Sequence, residues 1–202
     1  MMAILQLTHA PILNSSAQLL ILPVNSAGVL LDPILTRTKR LYPDNYQRYY
    51  RACRNGNLEI GSCLLHKRSR EQAGLGVSSN GSQPSYIANL VISDHPYHPA
   101  RLRWLTAALV DLQQQLIPLI RYQGIRRIAL LTHPFISFSS KLNDTQNLPP
   151  SSVNDISSAD SSNSSGFEPL DWYDDILPLL TQQLQDLPKL RIDLHLPKFL
   201  TL

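Results

Sequence analysis

The chain has 202 residues, 43% hydrophobic and 16% charged, with a net charge of +3. That length and balance fit one globular domain over 1–202 and exclude a chain disordered throughout, and no apolar run approaches the ~18 residues of a membrane-crossing helix. Met1–Gln18 lacks the basic start and cleavage-like site of a secretory signal, and neither Cys53 nor Cys63 fits a disulfide framework or a zinc module, so the expectation is a cytoplasmic protein with two reduced structural thiols and no metal or cofactor.

Ala17–Val24 is a short apolar run that reads as a buried strand, followed by a turn at 25–28. Asp32-Pro33 is an N-cap followed by proline at the first helical position, which predicts a helix from Pro33 to about Leu41. Pro43 separates it from a second helix, about Asp44–Asn55, that Gly56 stops. Cys63–His66 is a weak strand candidate, and the glycine- and serine-rich stretch Gln72–Pro84 reads as a loop or mobile hairpin. Ser85–Ile92 is another apolar strand. A proline-bearing turn, Asp94–Pro99, leads into the longest helix, Ala100–Tyr122, with leucines at helical spacing, an expected kink at Pro118 and a stop at Gly124. Arg126–Thr132 is a strand.

Residues 137–165 hold eleven serines, a composition that cannot bury enough surface to offset its ordering entropy, and a disordered insertion is expected there. A helix over Asp171–Gln185, kinked or restarted at Pro178, and a strand over Leu190–Leu196 complete the chain. Asp171 reads as an N-cap, Trp172 as core packing and Asn89 as a structural amide. Alternation of strand and helix predicts an α/β fold with a mixed, mostly parallel sheet covered on both faces. Ligands of such sheets lie beyond the carboxyl ends of the strands, here 24–28, 92–98 and 132–166.

Charge is unevenly spread. Residues 37–70 carry nine basic and two acidic side chains, so that segment is +7 and the remainder −4. Tyr42, Tyr46, Tyr49 and Tyr50 lie among the bases. Cations interleaved with aromatics suit a nucleic-acid strand, with Arg48, Arg51 and Arg54 as contacts; the alternative is a solvated helix face whose tyrosines pack on the core.

Several stretches resemble the macro-domain family, most of all the antitoxin macro domains of the DarT–DarG pair. They are Leu22–Val29 (LPVNSAGV), Leu41–Tyr49 (LYPDNYQRY) with Ala52-Cys53, Ile60–Cys63 (IGSC), Tyr86–Leu90 (YIANL) and Gly166–Trp172 (GFEPLDW), in family order. The resemblance implies a three-layer α/β/α fold with a mixed, mostly parallel sheet and a cleft for ADP-ribose. It implies ligand contacts at Asn25, Ser26, Gly28, Gly166 and Phe167, with Asn25 against the distal ribose. The family's adenine-contacting aspartate falls on Ala10-Pro11, its first-loop Gly-Lys-Gly on Leu31-Asp32-Pro33, and two phosphate-loop glycines on Glu168 and Pro169. Its catalytic lysine falls on Ser93 or its neighbours, where Asp94, His95 and His98 form the most chemically suited cluster; Asn25, Asp94 and His95 are therefore the catalytic candidates. His133 beside Pro134 stays open between surface and site.

Two functions follow from the resemblance. One is recognition of ADP-ribose, or of an ADP-ribosylated nucleic acid or protein, with removal of the group by N-glycosidic hydrolysis. The other is a degenerate macro scaffold that binds protein or nucleic acid through its basic helices. A monomer is expected, since no exposed apolar stripe is evident.

Overall fold

The computed structural model describes residues 2–69, 83–136 and 170–200. The glycine- and serine-rich stretch at 72–84 for the most part, the whole serine-rich insertion at 137–165, and Gly166 and Phe167 lie outside the described residues.

Six strands form one sheet: β1 (Ile4–Thr8), β2 (Leu19–Asn25), β3 (Cys63–Lys67), β4 (Tyr86–Ser93), β5 (Arg127–Leu131) and β6 (Arg191–His195), in spatial order β1-β6-β5-β2-β4-β3. All neighbours are parallel except β3, which runs antiparallel to β4. The central strands read as continuous apolar runs because both their faces are covered. In β2, Leu19 and Ile21 face one core, while Leu20, Leu22 and Val24 face the other. β4 alternates in the same way, with Ala88, Leu90 and Ile92 on one side and Ile87 and Val91 opposite.

Helices α1 (Pro33–Leu41) and α2 (Pro43–Arg54) cover one face through Leu35, Tyr42 and Tyr49. The long α3 (Leu102–Tyr122) covers the other through Leu105, Leu109, Leu112 and Leu116, spaced to fall on one stripe. This helix runs on through Pro118 to Tyr122. A four-residue helix, α4 (His133–Ile136), follows β5 directly. The expected C-terminal helix is a wide turn over Trp172–Ile176 continued by α5 (Leu177–Leu184). Asp171 caps that turn through Tyr173 N and Asp174 N, and Trp172 is buried. No described helix is long and apolar enough to cross a membrane.

β1 is an element the sequence reading lacks. Its five residues alternate between exposed and half-buried, and it pairs only with β6 at the sheet edge. Leu5 and Leu7 pack against the core while Ile4 is exposed, and the strand is held through its pairing with the distant β6.

Candidate functional site

The sheet reverses its order of addition at β2: the chain places β4 on one side of it and β5 on the other. At such a switch point the loops leaving neighbouring strands diverge and leave a crevice at their carboxyl ends. A cleft of about 490 Å³ occupies that position, within the usual range for small-ligand sites. Its floor is Val24, Asn25, Ile92 and Ser93; its walls include Val29, Leu31, Leu35, Tyr97, Ala100 and Pro134. The register of β2 against β4 slips by one residue between Val24 and Asn25, so the sheet is irregular where the cleft opens.

The loop after β2 is closed by Asn25. Its amide nitrogen donates to Val29 O at 2.6 Å and its amide oxygen accepts from Val29 N at 3.3 Å. The Tyr49 hydroxyl, from α2, donates to Asn25 O at 2.6 Å. Ser26 N–H donates to Ser93 O, tying this loop to the end of β4. Gly28 has φ +77°, and a Cβ there would stand 3.3 Å from both Cys53 Cβ and Tyr50 Cδ2. Glycine is required at this point by backbone sign and by the approach of α2 together.

Asp32 performs two tasks. One carboxylate oxygen accepts from Ile34 N at 2.8 Å and Leu35 N at 3.1 Å and caps α1. The other is hydrogen-bonded to Nδ1 of His133, which stands just past the end of β5. Both residues line the cleft. Burial opposes ionisation of Asp32, but the hydrogen bond and charge of His133 and the two backbone N–H groups outweigh it and hold the carboxyl below its ordinary value. The same hydrogen bond to Asp32 raises the His133 imidazole above its ordinary value, against partial burial.

No family model matches the chain. Over 126 residues, 62% of this chain, it is 30% identical to a DNA ADP-ribosyl glycohydrolase of Thermus aquaticus. Over 119 residues it is 27% identical to the protein of the same name from Mycobacterium tuberculosis. The chain spans about a third of the length of these curated relatives, 31% and 30%. Among solved structures, the macrodomain of Thermus aquaticus DarG superposes with a TM-score of 0.64 at 22% identity, covering 96% of this chain and 99% of that one. Thermosipho africanus DarTG in complex with ADP-ribose gives a TM-score of 0.67 at 19% identity, covering 98% of this chain and 43% of that one.

This chain folds as a macro domain.

Within this macro domain the expected site residues separate. Asn25 lines the cleft, Ser26 braces its rim, and Gly28 is turned toward α2 and absent from the lining. Asp94 and His95 follow β4 on the turn that carries the lining residues Pro96 and Tyr97, and neither is itself a lining residue. Asp94 bonds His98 Nδ1 at 3.0 Å, and the His95 ring packs against those of Tyr97 and His98. Desolvation opposes ionisation of Asp94, but the His98 hydrogen bond and charge, with backbone N–H groups of the turn, outweigh it and hold the carboxyl below its ordinary value. Ser93, at the place where the family resemblance puts a lysine, is on the cleft floor.

Arg48, Arg51 and Arg54 are all exposed on the outer face of α2. Of the tyrosines among the bases, Tyr42 and Tyr49 are core residues, while Tyr46 and Tyr50 stack on the surface at 5.8 Å with Lys39 Nζ 4.2 Å from the Tyr46 ring. One member of the basic segment is internal. The Arg68 guanidinium is buried, bonded to Asp44 and Gln83 and stacked on Tyr42. Cys53 and Cys63 are free thiols, and burial, with Asp111 nearby, pushes that of Cys63 up to about 12. Among the described residues no group of three or more His, Cys, Asp or Glu is placed to hold a metal ion.

Sequence reasoning missed the Asp32–His133 pair as a unit. Its members are 101 residues apart, and only the strand order brings them together. The available signal was an acidic N-cap in the first ligand loop and a histidine at the first position after a strand.

Proposed function

We propose that the cleft binds ADP-ribose carried on a DNA base, and that the chain removes it by hydrolysis of the N-glycosidic bond. The observation that supports this most is the position of the cleft, at the carboxyl ends of β2, β4 and β5, in a chain 30% identical to a DNA ADP-ribosyl glycohydrolase. Asn25 would orient the distal ribose. Its amide nitrogen keeps one hydrogen beyond that shared with Val29, while its oxygen is approached by both Val29 N–H and the Tyr49 hydroxyl, so the contact it would offer a ribose is as a donor. Ser26 and Gly28 would hold the loop in shape, and Gly166 and Phe167 would be ligand contacts, as the family resemblance implies. Asp94 and His95, on the rim turn, would meet the part of the substrate that projects from the cleft. The protein would act as a single macro-like domain, as a monomer, in the cytoplasm.

A DNA strand would run over α2, with Arg48, Arg51 and Arg54 against its phosphates and the Tyr46–Tyr50 stack beside its bases. A second reading, the scaffold without nucleotide binding, draws support from α1. Asp32 already occupies the N–H groups of Ile34 and Leu35, and Pro33 has none, so that helix start offers a diphosphate no donors.

Calorimetric titration with ADP-ribose separates the two. The proposal expects micromolar binding that is lost in Ala100→Trp, which fills the cleft, and weakened in Asn25→Ala. No binding up to millimolar ligand would leave the scaffold reading, and salt-dependent binding to DNA alone would favour it.

A further inference from the structure

The turn between β4 and α3 leaves an aromatic ring in water at the edge of the cleft. Tyr97 is a lining residue, yet it is 72% exposed, so most of its ring faces solvent rather than the protein. Its backbone is braced. Pro96 and Pro99 fix φ on either side of it, and His98 N–H donates to His95 O at 3.0 Å. The Ser26 hydroxyl donates to Asp94 O at 3.4 Å and ties the turn to the loop after β2. The His95 ring lies 5.4 Å from that of Tyr97 and 5.3 Å from that of His98. A ring held in place before a ligand arrives loses little freedom when the ligand stacks on it.

The first turn of α3 adds charge beside this ring. The guanidinium carbons of Arg101 and Arg103 lie 4.7 and 5.4 Å from the Trp104 ring centre. Trp104 is half-buried and Arg103 is exposed. A guanidinium ordered against an aromatic ring is well suited to a phosphate, because its fork of N–H donors is already oriented. Between Asp94 and Trp104 the sequence holds one acid, Asp94, and its carboxylate is bonded to His98. Two arginines against one engaged carboxylate, beside an exposed ring, complement an anionic backbone with flat bases. The place fits as well. The loop after β2 leads to α1 and α2 on one face of the sheet, the turn after β4 leads to α3 on the other, and the cleft lies between them.

We infer that this rim is a second nucleic-acid contact, on the opposite face of the sheet from α2: Tyr97 stacks on the base that carries the ADP-ribose where it emerges from the cleft, and Arg103 takes a phosphate beside it. The inference rests on the reading of the substrate as ADP-ribose borne on a DNA base. Free ADP-ribose has neither that base nor the phosphates of the strand, so the rim separates the DNA adduct from the nucleotide alone. Once the glycosidic bond is cut, one product holds the cleft and the other holds the rim, and neither keeps both sets of contacts.

The test compares three ligands. Affinity for an oligonucleotide bearing one ADP-ribosylated base, and for an ADP-ribosylated peptide, is read by rapid-mixing fluorescence anisotropy before turnover; affinity for free ADP-ribose is read by calorimetry. Tyr97→Ala is expected to weaken the modified oligonucleotide about 10-fold and to leave free ADP-ribose within about twofold of wild type. Tyr97→Phe, which keeps the ring, should recover most of the loss. Arg103→Glu should weaken the oligonucleotide and flatten its salt dependence by about one unit of log–log slope. An unchanged oligonucleotide affinity in Tyr97→Ala, or an unchanged slope in Arg103→Glu, would overturn the contact. So would an equal loss for free ADP-ribose, which would put the ring on the nucleotide itself, or an equal loss for the peptide, which would show that the stacked group is not a base. Wild-type protein that binds the modified oligonucleotide no more tightly than ADP-ribose would overturn the rim contact and leave recognition of ADP-ribose standing. Wild-type protein that binds neither would overturn the reading on which the contact rests.

Discussion

The side-chain amides of Asn45 and Asn89 exchange hydrogen bonds in both directions, Asn89 Nδ2 to Asn45 Oδ1 at 2.8 Å and Asn45 Nδ2 to Asn89 Oδ1 at 3.2 Å. Asn89 stands in the middle of β4 and Asn45 on the inner face of α2, so a polar pair joins helix to sheet inside an otherwise apolar layer. Asn89 also donates to Leu64 O on the neighbouring strand.

Removing one amide strands the other. Asn89→Leu is expected to destabilise the fold by about 1–3 kcal/mol, the cost of an unsatisfied buried polar group. The double variant Asn45→Leu with Asn89→Leu should recover part of that loss, since neither amide is then left unpaired. Urea denaturation of the three proteins checks both statements, and equal stability of the single and double variants would contradict them.

Gly28→Ala combines a left-handed backbone with a crowded Cβ. The conformational cost is about 1–2 kcal/mol, to which the displacement of Tyr50 and Cys53 adds. A fall in thermal midpoint of several degrees is expected, whereas Gly56→Ala, at similar φ but with open space around it, should cost less. Calorimetric melting of the two variants gives the comparison.

The Asp32–His133 pair makes stability depend on pH in a defined window. Asp32 is lowered from 3.8, so its contribution is present above that value and lost as pH falls through the folded value. His133 is raised from 6.5, so its contribution is complete below 6.5 and lost as pH rises through the folded value. The stability difference between wild type and Asp32→Asn should therefore be largest at roughly pH 4–6.5 and shrink on both sides. His195, which burial pushes below its ordinary value, is common to both proteins and cancels in the difference. Urea melts across that range test this, and a difference independent of pH would count against it.

Charge reversal on α2 tests the proposed DNA contact. Arg48→Glu with Arg51→Glu is expected to weaken DNA binding and to flatten its dependence on salt by about one unit of log–log slope per lost phosphate contact. Both side chains are exposed, so the melting temperature should hardly move. Fluorescence anisotropy at several salt concentrations reports the slope, and an unchanged slope would remove α2 from the interface.

Much of this architecture was legible in residue order. β2 and β4 are buried on both faces, so their apolar runs stand out, and Asp32-Pro33 marks the start of α1 by cap and proline together. The position of the cleft followed from strand order in α/β sheets. Other features depend on tertiary contacts that no local pattern encodes. The edge strand β1 is five residues long and pairs with β6 alone, across most of the chain, a contact no local pattern encodes. A summed charge does not separate Arg68 from the exposed bases of its segment, whereas Asp44 and Tyr42 draw it inside. Resemblance makes Asn25 a ligand contact, and no local pattern shows that its amide is also bonded to Val29 and approached by the Tyr49 hydroxyl. The Asp32–His133 pair required knowing that β5 lies beside β2.

The hydroxyl of Tyr49 gives α2 a mechanical role. On one side the helix presents arginines to solvent; on the other it grips the carbonyl of Asn25 at the cleft floor. The span between the two is one helix diameter, about 10 Å, and contains no hinge. A polymer lying across the arginines would thus be held at a set offset from the cavity mouth. In the proposed complex that offset would act as a ruler, setting how many nucleotides could separate phosphates on α2 from a base in the cleft.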